Sequence, residues 1–273
     1  SFEYAQIWYE SVLKNCRINK TTLHIDKPGK HTVKIICGDA GTVLQKIVLD
    51  FGGMKRSAFG GGIKAGGPNY VSCFVNITNN HVDNGSSPIG EFKTYAATFR
   101  NEDKKSYESS TASYQRNFEE EFSVERDIYH LMGEQNIFRY LPLKNILFRI
   151  QPQDELSDII KIMTAANIVN TKLVISIDNA NHLLAALRTF LKPEQIQLHT
   201  ETEFIDSMHK YERIRTCSAD LSMEVYKKAA ELGKHIAMQR PLNEGRLELL
   251  HYVKEQSIAF EYHRYGSITE TPE

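Results

Sequence analysis

Apolar positions recur at two periods along this chain, and the change of period divides it. From residue 136 onward, short runs of β-branched and aliphatic residues alternate with stretches patterned at helical spacing. Ile146–Ile150, Leu173–Ile177, Ile196–His199, Arg213–Cys217 and His235–Gln239 read as strands, and Ser257–Tyr262 as a last one. Helices are predicted over 155–168, 180–191, 202–210, 221–232 and 244–256. In the first of these, Ile159, Ile160, Ile162, Met163 and Ala166 share a core-facing side, and Gly233 closes the fourth. Strand and helix alternating at this spacing predict an α/β fold, a Rossmann-like, mainly parallel sheet with helices on both faces.

Upstream the pattern is different. Residues 2–15 read as a helix, whereas 21–37 and 42–49 read as extended, with turn signals at Lys27-Pro28-Gly29-Lys30 and Gly38-Asp39-Ala40-Gly41. A strand is predicted from Tyr70 to Ile77. The Asn-, Ser- and Lys-rich stretch 79–112 reads as a connector, interrupted by a candidate strand Phe92–Phe99. A helix follows over about 114–132, lined by Phe118, Phe122, Tyr129 and Met132 and ended by Gly133, with Glu119 to Glu121 on a solvated face. The predicted organisation is a β-rich segment 1–78, a connector 79–112 and an α/β domain 113–273.

Composition narrows the classes of partner. The 273 residues are 41% hydrophobic and 25% charged with a formal net charge of −1, which argues against nucleic acid as the main partner. No apolar run approaches the roughly 20 residues a membrane helix needs. With no leader pattern at the start and four scattered cysteines, Cys16, Cys37, Cys73 and Cys217, a reducing, cytoplasmic location is expected. The chain opens on Ser1 directly in a helical pattern and reads as a piece of a longer polypeptide.

The chemistry concentrates between Phe51 and Tyr70, FGGMKRSAFGGGIKAGGPNY. Seven glycines and the cations Lys55, Arg56 and Lys64 mark a shaped loop whose free N–H groups suit a carboxylate or phosphate. The parallel-sheet region lacks the matching dinucleotide signal. Its first strand-to-helix turn, Gln151-Pro152-Gln153-Asp154-Glu155, has no glycine and two acids, which would repel a pyrophosphate. Asp178-Asn179-Ala180-Asn181 and Cys217-Ser218-Ala219-Asp220 read as helix caps. The ten histidines form no metal-binding spacing, although His199 and His209 could approach one another. Tyr262-His263-Arg264-Tyr265-Gly266 reads as a surface turn or as the cover of an interface.

The glycine-rich string resembles the substrate-anchoring loop of the aldehyde dehydrogenase superfamily. Its ending, Lys64 to Tyr70, is similar to the pyrroline-5-carboxylate (glutamate semialdehyde) dehydrogenase branch, and Asn15 to Thr22 resembles a strand of that branch. The stretch from about His24 to Lys46 intervenes where that strand would run almost directly into the loop. Asp50 stands in place of the family's proline, and Ala58 where glycine is usual. Phe138 to Leu143, Leu173 to Ile177, Arg213 to Cys217 and Glu255 to Ile258 resemble the C-terminal domain of bacterial bifunctional proline utilisation enzymes, the PutA proteins. That domain is a degenerate nucleotide domain without cofactor.

The resemblance implies a parent that oxidises glutamate semialdehyde with NAD through a cysteine thioester, and that carries FAD if bifunctional. It assigns Gly52, Gly53, Ser57, Ala58 and Phe59 to the substrate, with N–H groups near Ser57 and Ala58 on its α-carboxylate. The nucleophilic cysteine motif and the dinucleotide domain do not occur in this sequence. The implied role is therefore an anchor loop and a structural, site-covering domain, without cofactor and inactive alone. Its partners would be the rest of the parent and, through oligomerisation, further copies. Two other readings stand beside it: a free-standing module that binds a small carboxylate or nucleotide, and an oligomerisation module that adds strands to a partner.

Overall fold

The computed structural model describes residues 67–70, 77, 92, 99–127, 130 and 134–261. The chain divides into two units, Ser1–Ile47 and Val48–Glu273, and every described residue lies in the second. The expected helix 2–15, the extended segments 21–37 and 42–49 and the tail from Tyr262 lie outside the described residues. So do nearly all of the candidate strands Tyr70–Ile77 and Phe92–Phe99.

The centre of the fold is a five-stranded parallel sheet. Its strands are β3 (Asn145–Ile150), β4 (Lys172–Ile177), β5 (Ile196–Leu198), β6 (Arg213–Thr216) and β7 (Ile236–Met238), in the order β5-β4-β3-β6-β7. Alternation along the strands builds two cores. Ile146, Phe148 and Ile150 of β3 pack on one face with Ile159, Ile160 and Ile162 of α2 (Leu156–Ile168). Leu147 points the other way, to Phe204 of α4 (Glu201–Ser207) and Val225 and Ala229 of α5 (Met223–Glu231). Helices therefore cover both faces, as the sequence predicts. Between β4 and β5 only Leu183–Leu187 (α3) is α-helical, shorter than the predicted 180–191. Gly233 closes α5 at φ 62°, the left-handed conformation that glycine adopts without strain.

The end of the stretch read as connector, 101–112, is instead part of a 17-residue helix, α1 (Asn101–Asn117). A π-helical turn continues it to Phe122, so the helix ends well before 132. The stripe that buries it is not aliphatic. Tyr107, Ser110, Thr111 and Tyr114 face inward, and the hydroxyls fold back on the preceding turn, Ser110 to Ser106 O at 2.7 Å and Thr111 to Tyr107 O at 2.9 Å. These small polar residues let the chain at Gly245 reach the α1 backbone, where Gly245 N donates to Ser113 Oγ at 2.9 Å. The buried Lys161 of α2 is held at the same seam by Ser106 Oγ (2.7 Å) and Asn243 Oδ1 (3.1 Å). A hydrophobic-period reading passes over such a helix because its contact surface is serine and threonine.

The helix predicted over 244–256 also stops early. α6 spans Gly245–Glu248 and a short 3₁₀ turn carries the chain to His251. Arg213 on β6 collects the freed carbonyls of Leu250 (2.9 Å), His251 (2.5 Å) and Val253 (3.4 Å). The chain then runs out as β8 (Val253–Glu261), longer than the predicted last strand. β8 pairs antiparallel with β2 (Glu134–Pro142), and β1 (Arg126–Asp127) adds to the far edge of β2. This ribbon is a second sheet beside the parallel one; the sequence reading held the end of β8 but neither β2 nor the antiparallel pairing.

Two half-buried histidines, His235 and His251, make the fold sensitive to acid. His235 is pushed down to about 3 by burial and then by Arg213 and Arg215, and His251 is lowered for the same reasons. Both stay neutral in the fold, whereas the unfolded chain takes up protons below about pH 6.5. Stability contributed above pH 6.5 is thus lost as pH falls toward 3. Urea midpoints measured from pH 7 to pH 4 should fall, and the His251→Gln variant should show a shallower fall than the wild type. Equal slopes in the two proteins would contradict this account.

Candidate functional site

The residues assigned to substrate, Gly52, Gly53, Ser57, Ala58 and Phe59, lie outside the described residues, as do Lys55, Arg56 and Lys64. The exit of that loop is described. Gly67-Pro68-Asn69-Tyr70 forms a turn in which Tyr70 N donates to Gly67 O at 3.2 Å. Asn69 is 2% exposed, and its Nδ2 donates both to Tyr140 Oη and to Glu255 Oε1, each at 2.8 Å. Tyr140 and Glu255 face each other across the β2–β8 register, so one amide spans both strands of the ribbon at a single rung.

The rung continues inward. Tyr140 Oη donates to Glu121 Oε1 at 2.8 Å, and Arg246 Nε pairs with Glu121 Oε2 at 2.5 Å. The Tyr140 ring stacks on Phe122 at 4.4 Å between centroids, and the Arg246 guanidinium lies over the same Phe122. Burial raises the Tyr140 hydroxyl above its usual range, so it remains a donor at neutral pH. Glu121 is therefore turned in, whereas Glu119 and Glu120 keep the expected solvated face. On the outer side of the ribbon, Arg139 pairs with Glu125 and donates to Gln256 Oε1 at 2.6 Å.

The parallel sheet has its own ligand position by topology. The chain leaves β3 toward β4 on one side and later returns to β6 on the other, so a crevice opens at the carboxyl ends of β3 and β6. Here the protein bridges it. Gln151 Nε2 donates to Asp220 O, and Ser218 Oγ donates to Gln151 Oε1 at 2.8 Å. Asp154, nearly buried, accepts from Gln151 N at 2.8 Å, and burial raises its carboxyl pKa. Glu155 and Asp158 at the start of α2 are both taken by Arg240, at 3.0 and 2.6 Å. Three acids, two of them paired with Arg240, therefore stand at this turn in place of the glycines that cradle a pyrophosphate.

Other candidates resolve as structural. Cys217 is buried, and burial pushes its thiol well above the ordinary range, which leaves it inert as a nucleophile. Ser218 and Asp220, read as part of a cap, bridge to Gln151 instead, and the true N-cap of α5 is Ser222. Asp178 and Asn181 shape the turn before α3 instead of capping it, accepting from Ala180 N at 2.8 Å and Leu183 N at 2.9 Å; the N-cap of α3 is His182, without a side-chain cap bond. His199 and His209 have separate partners, Ser176 Oγ and Asp206 O. Among the described residues no cluster of three His, Cys, Asp or Glu could hold a metal, and no helix is long and apolar enough to cross a membrane.

Sequence reasoning missed Tyr140, Glu255, Glu121 and Arg246 as a group. Asn69 was legible as the end of a loop motif, but its partners stand 71 and 186 residues away.

The structure is similar to proline utilization A (PutA) from Corynebacterium freiburgense, with 27% sequence identity and a TM-score of 0.53, over 76% of this chain and 18% of that one. PutA from Bdellovibrio bacteriovorus inactivated by N-propargylglycine matches at 15% identity and TM-score 0.40, over 49% of this chain and 16% of that one. Histidinol dehydrogenase from Elizabethkingia anophelis matches at 13% identity and 0.39, over 56% and 40%. These two are too distant to add to the first. A family model described as the glycosyl hydrolase family 115 C-terminal domain matches residues 1–62. No curated protein matches the chain. The chain spans less than a fifth of the Corynebacterium protein's length, and over about three quarters of its own length it resembles a portion of that PutA.

Proposed function

We propose that this chain is the C-terminal part of a proline-catabolic, NAD-dependent glutamate semialdehyde dehydrogenase. It supplies the substrate-anchoring loop and a structural domain that covers the active site. The observation that supports this reading most is the docking of the loop's exit, through Asn69, onto the β2–β8 ribbon. A loop tied to this domain has a reason to share a chain with it. The likeness to a PutA over three quarters of the chain supports the same reading.

In this proposal the N–H groups near Ser57 and Ala58 hold the substrate's α-carboxylate, while Gly52, Gly53 and Phe59 line the aldehyde side. Charge-assisted hydrogen bonds of this kind contribute about 1.5–3 kcal/mol each, enough to orient a substrate but not to oxidise it. The reactive thiol, the NAD seat and any FAD belong to the rest of the parent. The proposed division keeps 1–78 with the catalytic module, and α1 joins the C-terminal domain because it packs on α2 and α6.

The test uses the full chain. L-Glutamate should bind in a calorimetric titration, and NAD with pyrroline-5-carboxylate should give no NADH absorbance. Turnover would overturn the placement of the catalytic centre elsewhere, and silence toward glutamate would overturn the role given to the loop. A second reading concerns only the N-terminal unit. The family 115 match and the division at Ile47 favour an accessory module there. Two separate calorimetric unfolding transitions in the full chain would support it, and a single transition would count against it.

A further inference from the structure

We propose that Asn69 is a positioning residue: its amide, shared between Tyr140 and Glu255 at one rung of the ribbon, sets where the anchor loop leaves the domain. This deepens the reading of the loop given above and rests on it. Seven glycines make placing this string costly in backbone freedom, a cost that a fixed point at its end reduces. A nearly buried amide with two partners on two strands meets it at the exit. Pro68, with its fixed φ, and the Tyr70-to-Gly67 hydrogen bond stiffen the same four residues.

The geometry favours positioning over mere filling of space. Tyr140 accepts from Asn69 and donates to Glu121, and Glu121 is paired with Arg246 on α6. The loop exit is thereby tied to the π-helical turn after α1 and to α6 as well as to the ribbon. A side chain of the same size without the amide would fill the site but take one donor away from each of Tyr140 and Glu255.

The experiment compares the full chain with its Asn69→Ala and Tyr140→Phe variants in two measurements. The first is hydrogen exchange at the Tyr70 amide without ligand. Asn69→Ala should speed it by about tenfold or more, while the amides of Leu147 to Ile150 stay as slow as in the wild type. The second is calorimetric affinity for L-glutamate, which should weaken by about tenfold in Asn69→Ala and by less in Tyr140→Phe. Unchanged Tyr70 exchange together with unchanged affinity overturns the proposal. If the wild type itself fails to bind glutamate, the function proposed for the loop falls and takes the ligand half of this inference with it. The Tyr70 amide then decides the clamp alone. If Asn69→Ala does not fold, Tyr140→Phe, which removes one oxygen from the rung, carries both measurements.

Discussion

Arg215→Met is expected to destabilise the domain by about 3–5 kcal/mol, the cost of leaving a buried charge without its partner. Arg215 and Glu248 are both fully buried, and Nη2 meets Oε1 at 3.1 Å. Arg215 also binds the carbonyls of Ala237 (3.1 Å) and Gln239 (2.5 Å), while Glu248 accepts from Leu242 N and Tyr252 Oη at 2.8 and 2.7 Å. Methionine matches the aliphatic stem but strands Glu248 in the core and frees three carbonyls, that of Thr216 included, from their donor. A domain stable by roughly 5–15 kcal/mol loses a large part of its margin. Urea unfolding at pH 7 measures it. The Arg215→Met/Glu248→Leu pair should recover only part of the loss, since Leu242 N and Tyr252 Oη then lack their acceptor. A loss below about 1 kcal/mol in Arg215→Met would show that the pair contributes little, as exposed pairs do.

The second large effect is expected at Gly245. In an ordinary helix, glycine to alanine stabilises by roughly 0.5–1 kcal/mol. Here the sign reverses. A Cβ on Gly245 would stand 2.5 Å from Ser113 O and 2.7 Å from Tyr114 Cα, both backbone atoms of α1 that cannot turn aside. Gly245→Ala should therefore force α1 and α6 apart. That would strain the Gly245 N–Ser113 Oγ bond and the Tyr114 Oη–Leu242 O bond (2.5 Å), at a cost of about 3 kcal/mol. The check is again the urea midpoint, with Gly233→Ala as a control whose penalty comes from positive φ instead of contact. A Gly245→Ala protein as stable as wild type would mean that the two helices separate freely.

Both effects sit on features that local pattern does not carry. Strands β3 to β7 and helix α2 were legible because their apolar residues alternate or recur at helical spacing and Gly233 punctuates the end of α5. The same rules failed for α1, whose buried stripe is Tyr, Ser and Thr. They failed again for α6, which stops where Arg213 from another strand takes its carbonyls. The missing glycine fingerprint after β3 was visible in the sequence, but the Gln151–Asp220 and Ser218–Gln151 links across the crevice were not.

By itself the amino-acid order determined the parallel α/β core, the acids at the first strand-to-helix turn and the glycine-rich string, each a matter of neighbours within a few turns of chain. Tertiary structure alone decided that Arg213 and Arg215 are buried on a strand, that Glu121 turns inward and that Asn69 meets Tyr140 and Glu255. The reason is the same in each case. A polar group can be buried only where partners satisfy it, and those partners come from segments that the fold brings together over long stretches of sequence.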